Sequence, residues 1–143
     1  MYKPLILFMA LLSIGLPSCT KDGCGCEATA CRPALVVGEE GFQNFPNDPH
    51  FITLARVEGQ CLEVVYRYGG GCGTVSTQLL VNEVAAYTEP PTRFLRLSLE
   101  DNDLCEALVS DTLQFDLGVL HSGEEGQALL RLEGWEEVID YSY

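Results

Sequence analysis

Cysteines are the residues of this chain whose type and spacing could do the most chemistry, and there are seven of them. Cys24, Cys26 and Cys31 lie close together, and a Cys-x-Cys pair with a third thiol could hold copper(I) or zinc. The alternative is disulfide bonding, which needs an oxidising compartment. The location of the chain therefore decides what its thiols do.

Groups for other catalysis are sparse. A hydrolase needs a nucleophile, a base and an oxyanion site, and the chain has two histidines, His50 and His121, with no Gly-x-Ser-x-Gly motif. Ser122 follows His121, but neighbours on an extended chain point to opposite faces. We predict that the protein is not an enzyme, with no catalytic residue, no metal site and no cofactor.

The N-terminus predicts export. Met1-Tyr2-Lys3 is a short positive start, and the apolar run from Pro4 to Leu16 is shorter than the roughly 20 residues that span a bilayer. Leu16-Pro17-Ser18-Cys19 ends this run, and a charged start, apolar middle and small residues before a cut are typical of a secretory signal. The four residues resemble the lipobox of bacterial lipoproteins, in which a peptidase cuts before the cysteine and the cysteine carries the lipid.

That resemblance implies a signal peptide over residues 1–18 and an acyl anchor, such as palmitate, on Cys19. Thr20 follows the cysteine, so the chain lacks the Asp that retains lipoproteins at the inner membrane in enteric bacteria. We therefore expect an anchor in the bacterial outer membrane and a domain that faces the periplasm or the cell surface.

Composition narrows the class of partner. The formal net charge is −13, and such an acidic surface repels phosphate backbones, so nucleic-acid binding is excluded. The chain without residues 1–18 has the size of one domain with a hydrophobic core. We expect contact with the membrane through Cys19, and a protein or glycan partner in the envelope. Trp135, Tyr141 and Tyr143 are candidate glycan-binding aromatics, although for Trp135 a place in the core or at the edge of the last strand is favoured.

In a secreted chain, the six cysteines other than Cys19 predict a disulfide framework, with fifteen possible pairings. Three of them lie in a polar, glycine-rich segment over residues 19–33, which we predict to be a tether. Thiol or metal handling by these three residues remains the alternative: Cys24, Cys26 and Cys31.

From residue 34 onward the hydrophobic pattern has a period of two, which is typical of strands. We predict an all-β domain over residues 34–143: an antiparallel, immunoglobulin-like β-sandwich of seven or eight short strands, held by disulfides. A helical turn or two is predicted at 103–109, and Gly134 and Trp135 are predicted to open the last strand. The predicted strands are 34–37, 51–57, 61–68, 75–81, 94–99, 113–118, 128–132 and 134–143.

The glycine-rich segment from Tyr68 to Gly73 does not fit a phosphate-binding loop, because no Lys-Ser or Lys-Thr follows it. We interpret it as a bulge or tight bend that precedes a bridged cysteine.

The domain also resembles small Bacteroidota lipoproteins of uncharacterised function, in its Gly70-Gly71-Cys72 and Asp103-Leu104-Cys105 patterns. That resemblance implies that Cys72 pairs with Cys105, which leaves Cys61 to pair with one of Cys24, Cys26 or Cys31. It implies no activity. We therefore predict a lipid-anchored binding or assembly module, and keep a thiol- or metal-handling protein and a structural envelope lipoprotein as alternatives.

Overall fold

The computed structural model describes residues 31–102, 104–123 and 125–143, and the domain it describes is all-β. The predicted signal peptide, Cys19, Cys24 and Cys26 lie outside the described residues. The described strands are β1 (Arg32–Pro33), β2 (Leu35–Val37), β3 (His50–Glu58), β4 (Cys61–Gly70), β5 (Val75–Asn82), β6 (Thr92–Asp101), β7 (Ala107–Asp116), β8 (Gln127–Leu132) and β9 (Ile139–Ser142).

The strands form two sheets. Sheet A has the order β1-β7-β4-β3, and sheet B has the order β2-β5-β6-β8-β9. In the described chain, β1 with β7, β2 with β5 and β6 with β8 pair in parallel, so the sheets are mixed and not purely antiparallel as predicted. Alternation in the sequence carries no information about direction. Direction depends on the path of the chain between strands. Between β6 and β8 the chain crosses to sheet A as β7 and then returns, so β8 lies beside β6 and runs in the same direction.

One hydrophobic core lies between the sheets, which gives the domain a sandwich-like form. In the middle of β4 and of β6, the alternate residues that point inward are buried, as the period of two predicts. Leu62 and Val64 from sheet A meet Leu95, Leu97 and Leu99 from sheet B in this core.

A short helix covers part of the outer face of sheet B. This helix, α1 (Glu39–Asn44), begins after Gly38 with two acidic residues in its first turn, a charge that suits a helix N-terminus. It ends before Pro46, because a proline disfavours helical backbone in the preceding Phe45, which is extended. The side chain of Phe42 is buried against the sheet. The hydrophobic pattern of the sequence does not predict this helix.

Two predicted elements are wrong. Ala107, Leu108 and Val109 belong to β7, and not to a helical turn, because they pair with Gly70, Gly69 and Tyr68 of β4. Gly134 and Trp135 form a turn after β8, in which Gly134 has a φ of +81° and the Trp135 N–H donates to Leu132 O. The last strand therefore begins later, at Ile139.

The glycine segment divides into two parts. β4 continues through Gly70, so the first two glycines are ladder residues and not part of a bend. The bend comes at Gly71, whose φ of +114° favours glycine.

In the described ranges, no helix has the length and apolar character needed to cross a membrane.

Candidate functional site

Two disulfides lie at opposite ends of β4. Cys31 is bonded to Cys61, where β4 begins, with Cα atoms 6.1 Å apart. Cys72, which follows the Gly71 bend, is bonded to Cys105, with Cα atoms 5.8 Å apart. The second pairing is the one that the resemblance implied, and Cys31 is the partner of Cys61 among the three that remained open.

The disulfide to Cys61 removes Cys31 as a free thiol, so the predicted three-thiol set is not intact in this structure. Cys24 and Cys26 lie outside the described residues. Within the described part of the chain, no group of three or more His, Cys, Asp or Glu side chains is placed to hold a metal ion.

His121 and Ser122 meet two tyrosines near the C-terminus instead of each other: Tyr141 of β9 and Tyr143, which follows that strand. His121 Nε2 lies 2.7 Å from the hydroxyl of Tyr141, and the Ser122 hydroxyl lies 3.0 Å from that of Tyr143. The His121 ring stacks on the Tyr143 ring, with centroids 4.4 Å apart. The four side chains form a hydrogen-bonded cluster in which the serine and the histidine have different partners.

This cluster changes the interpretation of the predicted glycan-binding aromatics. Tyr141 is 1% exposed, so it is a core residue and cannot present a ring to a sugar. Burial, and then the nearby charge of Asp116, raise the pKa of Tyr141 above its ordinary value. Hydrogen bonds from Ser122 lower the pKa of Tyr143. Both shifts fit a packed cluster.

A polar cleft lies where the turn after β8 approaches the segment before β3. It has a volume of about 180 Å³, and we call it the Gly134 cleft. Arg96 of β6 lines this cleft and is 7% exposed. Its guanidinium donates to Glu133 Oε2 at 2.8 and 2.7 Å and lies 4.7 Å from the centroid of the Phe42 ring. The residues that line the Gly134 cleft are Asn47, Asp48, Pro49, His50, Arg96, Glu133 and Gly134.

The polar groups at the rim of the Gly134 cleft have internal partners too. Asp48 Oδ2 accepts from the Asp101 N–H at 2.7 Å, and His50 Nδ1 lies 2.8 Å from Asp48 O. Trp135 lies in an adjoining pocket of about 290 Å³, partly buried against the core. These hydrogen bonds hold the polar groups of the cleft in place and occupy part of their donors and acceptors.

The burial of Arg96 was not predicted from the sequence. Its alternation with Leu95 and Leu97 correctly places it on the other face of β6. Burial of that face depends on α1 and the following segment, which the pattern does not predict. A signal was present, because Pro46 and Pro49 flank a segment that packs on β6, where Ser98 donates to Pro46 O.

The outer face of sheet A, in contrast, has no covering element among the described residues. Cross-strand partners point to the same side of an antiparallel pair, so each row of this face takes one residue from each strand. One row is Arg56, Glu63 and Gln114, and the next towards the Cys72 end is Leu54, Val65 and Thr112. Beyond these lie the row of Phe51, Arg67 and Ser110 and the pair of Gly69 and Leu108.

Comparison with known proteins supports the fold. No protein-family model matches the sequence, and no curated protein sequence matches it. A structure of a protein of unknown function, DUF1344, from Bacteroides vulgatus ATCC 8482 is similar to 79% of this chain, with a TM-score of 0.53 and 18% identity. A putative toxin-related protein from Parabacteroides distasonis ATCC 8503 is similar over 79%, with a TM-score of 0.50 and 15% identity.

A NigD-like immunity protein from Bacteroides caccae ATCC 43185 is similar over 78% of this chain, with a TM-score of 0.52 and 9% identity. The match covers 56%, 61% and 64% of the three neighbours, so this chain spans less than two thirds of each. At these identities the likeness shows the fold alone. The organisms are consistent with a resemblance to small Bacteroidota proteins.

Proposed function

We propose that this protein is a non-catalytic binding module of the bacterial cell envelope, anchored in the outer membrane by a lipid on Cys19. The observation that carries the binding role is the exposure of large apolar side chains on the outer face of sheet A. Phe51 is 70% exposed and Leu108 is 69% exposed, although both lie in strands. Exposed apolar surface of this kind marks interaction sites.

Internal pairing of the polar groups supports a binding role over catalysis. His121 and Ser122 have separate tyrosine partners, and Arg96 of the Gly134 cleft is held by Glu133. The neighbours include a protein of unknown function and a NigD-like immunity protein, which is compatible with this role. An immunoglobulin-like arrangement of the sheets stays a prediction, since three described strand pairs are parallel.

Metabolic labelling with an alkyne palmitate analogue tests the anchor. In a host that processes lipoproteins, the full chain should incorporate the label, and Cys19→Ala should not. Equal labelling of the two proteins, or none of either, would remove the anchor from the proposal.

A pull-down from detergent-solubilised envelopes tests binding. The wild-type protein should recover a partner that Phe51→Ser loses, while Thr112→Ser, a change on the same face, keeps it. Recovery of nothing above bare beads would contradict the binding role. If a strain that lacks this protein then had a weakened envelope, the alternative of a structural envelope lipoprotein would be favoured.

A further inference from the structure

Arg67 of β4 stands out among the charged residues of sheet A. The guanidinium of Arg56, on the same face, is 2.7 Å from Glu58 and 2.9 Å from Glu63. Arg67 is exposed and has no hydrogen-bond or ion-pair partner from its side chain among the residues the structure describes. An unpaired cation on a protein of net charge −13 is available to an external anion.

Gly69 lies next to Arg67 on this face, and its own conformation does not require a glycine. Its φ is not positive, and no heavy atom lies within 4 Å of the position that a Cβ would take. Glycine weakens the interior of a strand, and it often marks a place where a ligand or another backbone comes close. The open space above Gly69 is therefore suited to an approaching chain.

Two exposed apolar side chains flank this space. Phe51 on β3 is the direct cross-strand partner of Arg67, and Leu108 on β7 is the direct partner of Gly69. The Cβ atoms of Phe51 and Arg67 should therefore lie about 5 Å apart. Phe51, Arg67, Gly69 and Leu108 thus form a strip across β4, with an apolar side chain at each end and a cation and bare backbone between them. We call these four residues the Gly69 notch: Phe51, Arg67, Gly69 and Leu108.

We infer that the Gly69 notch binds an extended segment of a partner protein that carries one carboxylate between apolar side chains. The carboxylate pairs with Arg67, whose planar guanidinium suits it. The apolar side chains pack on Phe51 and Leu108, and the backbone of the segment passes over Gly69. This inference rests on the proposed binding role and names the chemistry of the partner.

A peptide fits this site better than a glycan does. An acidic sugar could pair with Arg67 and lie on the Phe51 ring, but the aliphatic Leu108 gains by burying apolar surface, which a hydroxylated sugar offers poorly. The acidity of the whole domain also limits the segment to few carboxylates, because a longer acidic run would be repelled.

Selection from a phage library of random linear peptides on the immobilised full chain tests the inference. The recovered peptides should be enriched in Asp or Glu next to apolar residues. Enrichment of basic peptides, or no enrichment over an uncoated surface, would overturn it. Binding of polygalacturonate that depends on Arg67, without any peptide enrichment, would assign the site to an acidic glycan instead.

Titration of an enriched peptide, labelled with a fluorophore, locates its site. Arg67→Gln should weaken binding about tenfold or more, because a charge-assisted hydrogen bond is lost. Gly69→Val should weaken binding equally by filling the notch, while Arg56→Gln, the matched control, should stay within about twofold. Equal affinity of the Arg67→Gln, Gly69→Val and wild-type proteins would overturn the inference.

These results separate the inference from the proposed function. If the envelope pull-down recovers a partner that Arg67→Gln and Gly69→Val also recover, the binding role stands and the Gly69 notch is not its site. If the pull-down recovers nothing, the binding role itself fails.

Discussion

The outer faces of the two sheets differ in what lies on them. On sheet B, α1 and the segment after it cover the face, so Leu80 is fully buried and Arg96 is paired with Glu133 beneath Phe42. On sheet A nothing among the described residues covers Phe51 and Leu108, and Arg67 has no described partner. The same kind of arginine is therefore structural on one face and available for binding on the other.

The largest difference is expected between Arg96→Gln and Arg67→Gln. Arg96 donates to the Phe42 carbonyl as well as to the Glu133 carboxylate. Arg96→Gln leaves both acceptors without this donor, so the free energy of unfolding should fall by about 2–4 kcal/mol. Arg67→Gln should change it by less than about 0.5 kcal/mol. Urea denaturation at neutral pH measures both. A similar loss in both variants would mean that the two faces do not differ as described.

The exposed face also predicts a stabilising substitution. Gly69→Val should raise the free energy of unfolding by about 0.5–1 kcal/mol, because valine suits a strand and the space above Gly69 is open. The same change at Gly71 should destabilise the domain, since its φ is +114°. Thermal unfolding compares the stability of the two variants. A loss of stability in Gly69→Val would contradict the open space above Gly69.

A smaller effect is expected within sheet A itself. Arg56→Gln should lower the free energy of unfolding by about 0.5 kcal/mol, because exposed ion pairs contribute little. That loss should shrink when the salt concentration rises, as screening predicts. Arg67→Gln serves as the control and should show no such dependence on salt. Identical salt profiles for the two variants would place Arg56 and Arg67 in equivalent environments.

The covered face should also respond to acid through Glu39. The amides of Asn82 and Gln43 donate to its carboxylate at 2.7 and 3.0 Å and hold the pKa of Glu39 below its ordinary value of 4.5. Its contribution to stability is therefore present above that value and lost as the pH falls through the lowered pKa. Glu39→Gln should flatten this part of the curve of melting temperature against pH, and an unchanged curve would refute the role.

Much of the fold could be predicted from the sequence. Inward leucines at every second position of β6 and the valines and aromatics of β4 predicted strands, because a strand buries one side. The helix α1 could not be predicted in this way, since six residues are too few for a helical period and its burial depends on sheet B. The start of β7 at Ala107 was missed because it depends on pairing with the distant strand β4. The turn at Gly134 is local, but the hydrophobic alternation does not reveal its positive φ.

The candidate functional sites were also predicted only in part from the sequence. The sequence singled out His121, Ser122, Tyr141 and Tyr143 by type, and the structure brings them together as a packed cluster. Arg96 and Arg67 each alternate with apolar neighbours, and this alternation does not distinguish them. The proline-flanked segment 46–49 was the one sequence signal, and its packing on β6 is a property of the tertiary structure. The lipid on Cys19 and the location in the envelope stay predictions, since Cys19 lies outside the described residues.

By itself, the sequence determined the strand periodicity and the even set of cysteines beyond Cys19, because both are properties of neighbouring or counted residues. The tertiary structure decided which face of each sheet is covered, that Cys31 pairs with Cys61, and that Arg67 stands unpaired beside Gly69. These features depend on strand register and on elements distant in the chain. Local alternation specifies the side on which a residue lies, and long-range packing specifies what it meets there.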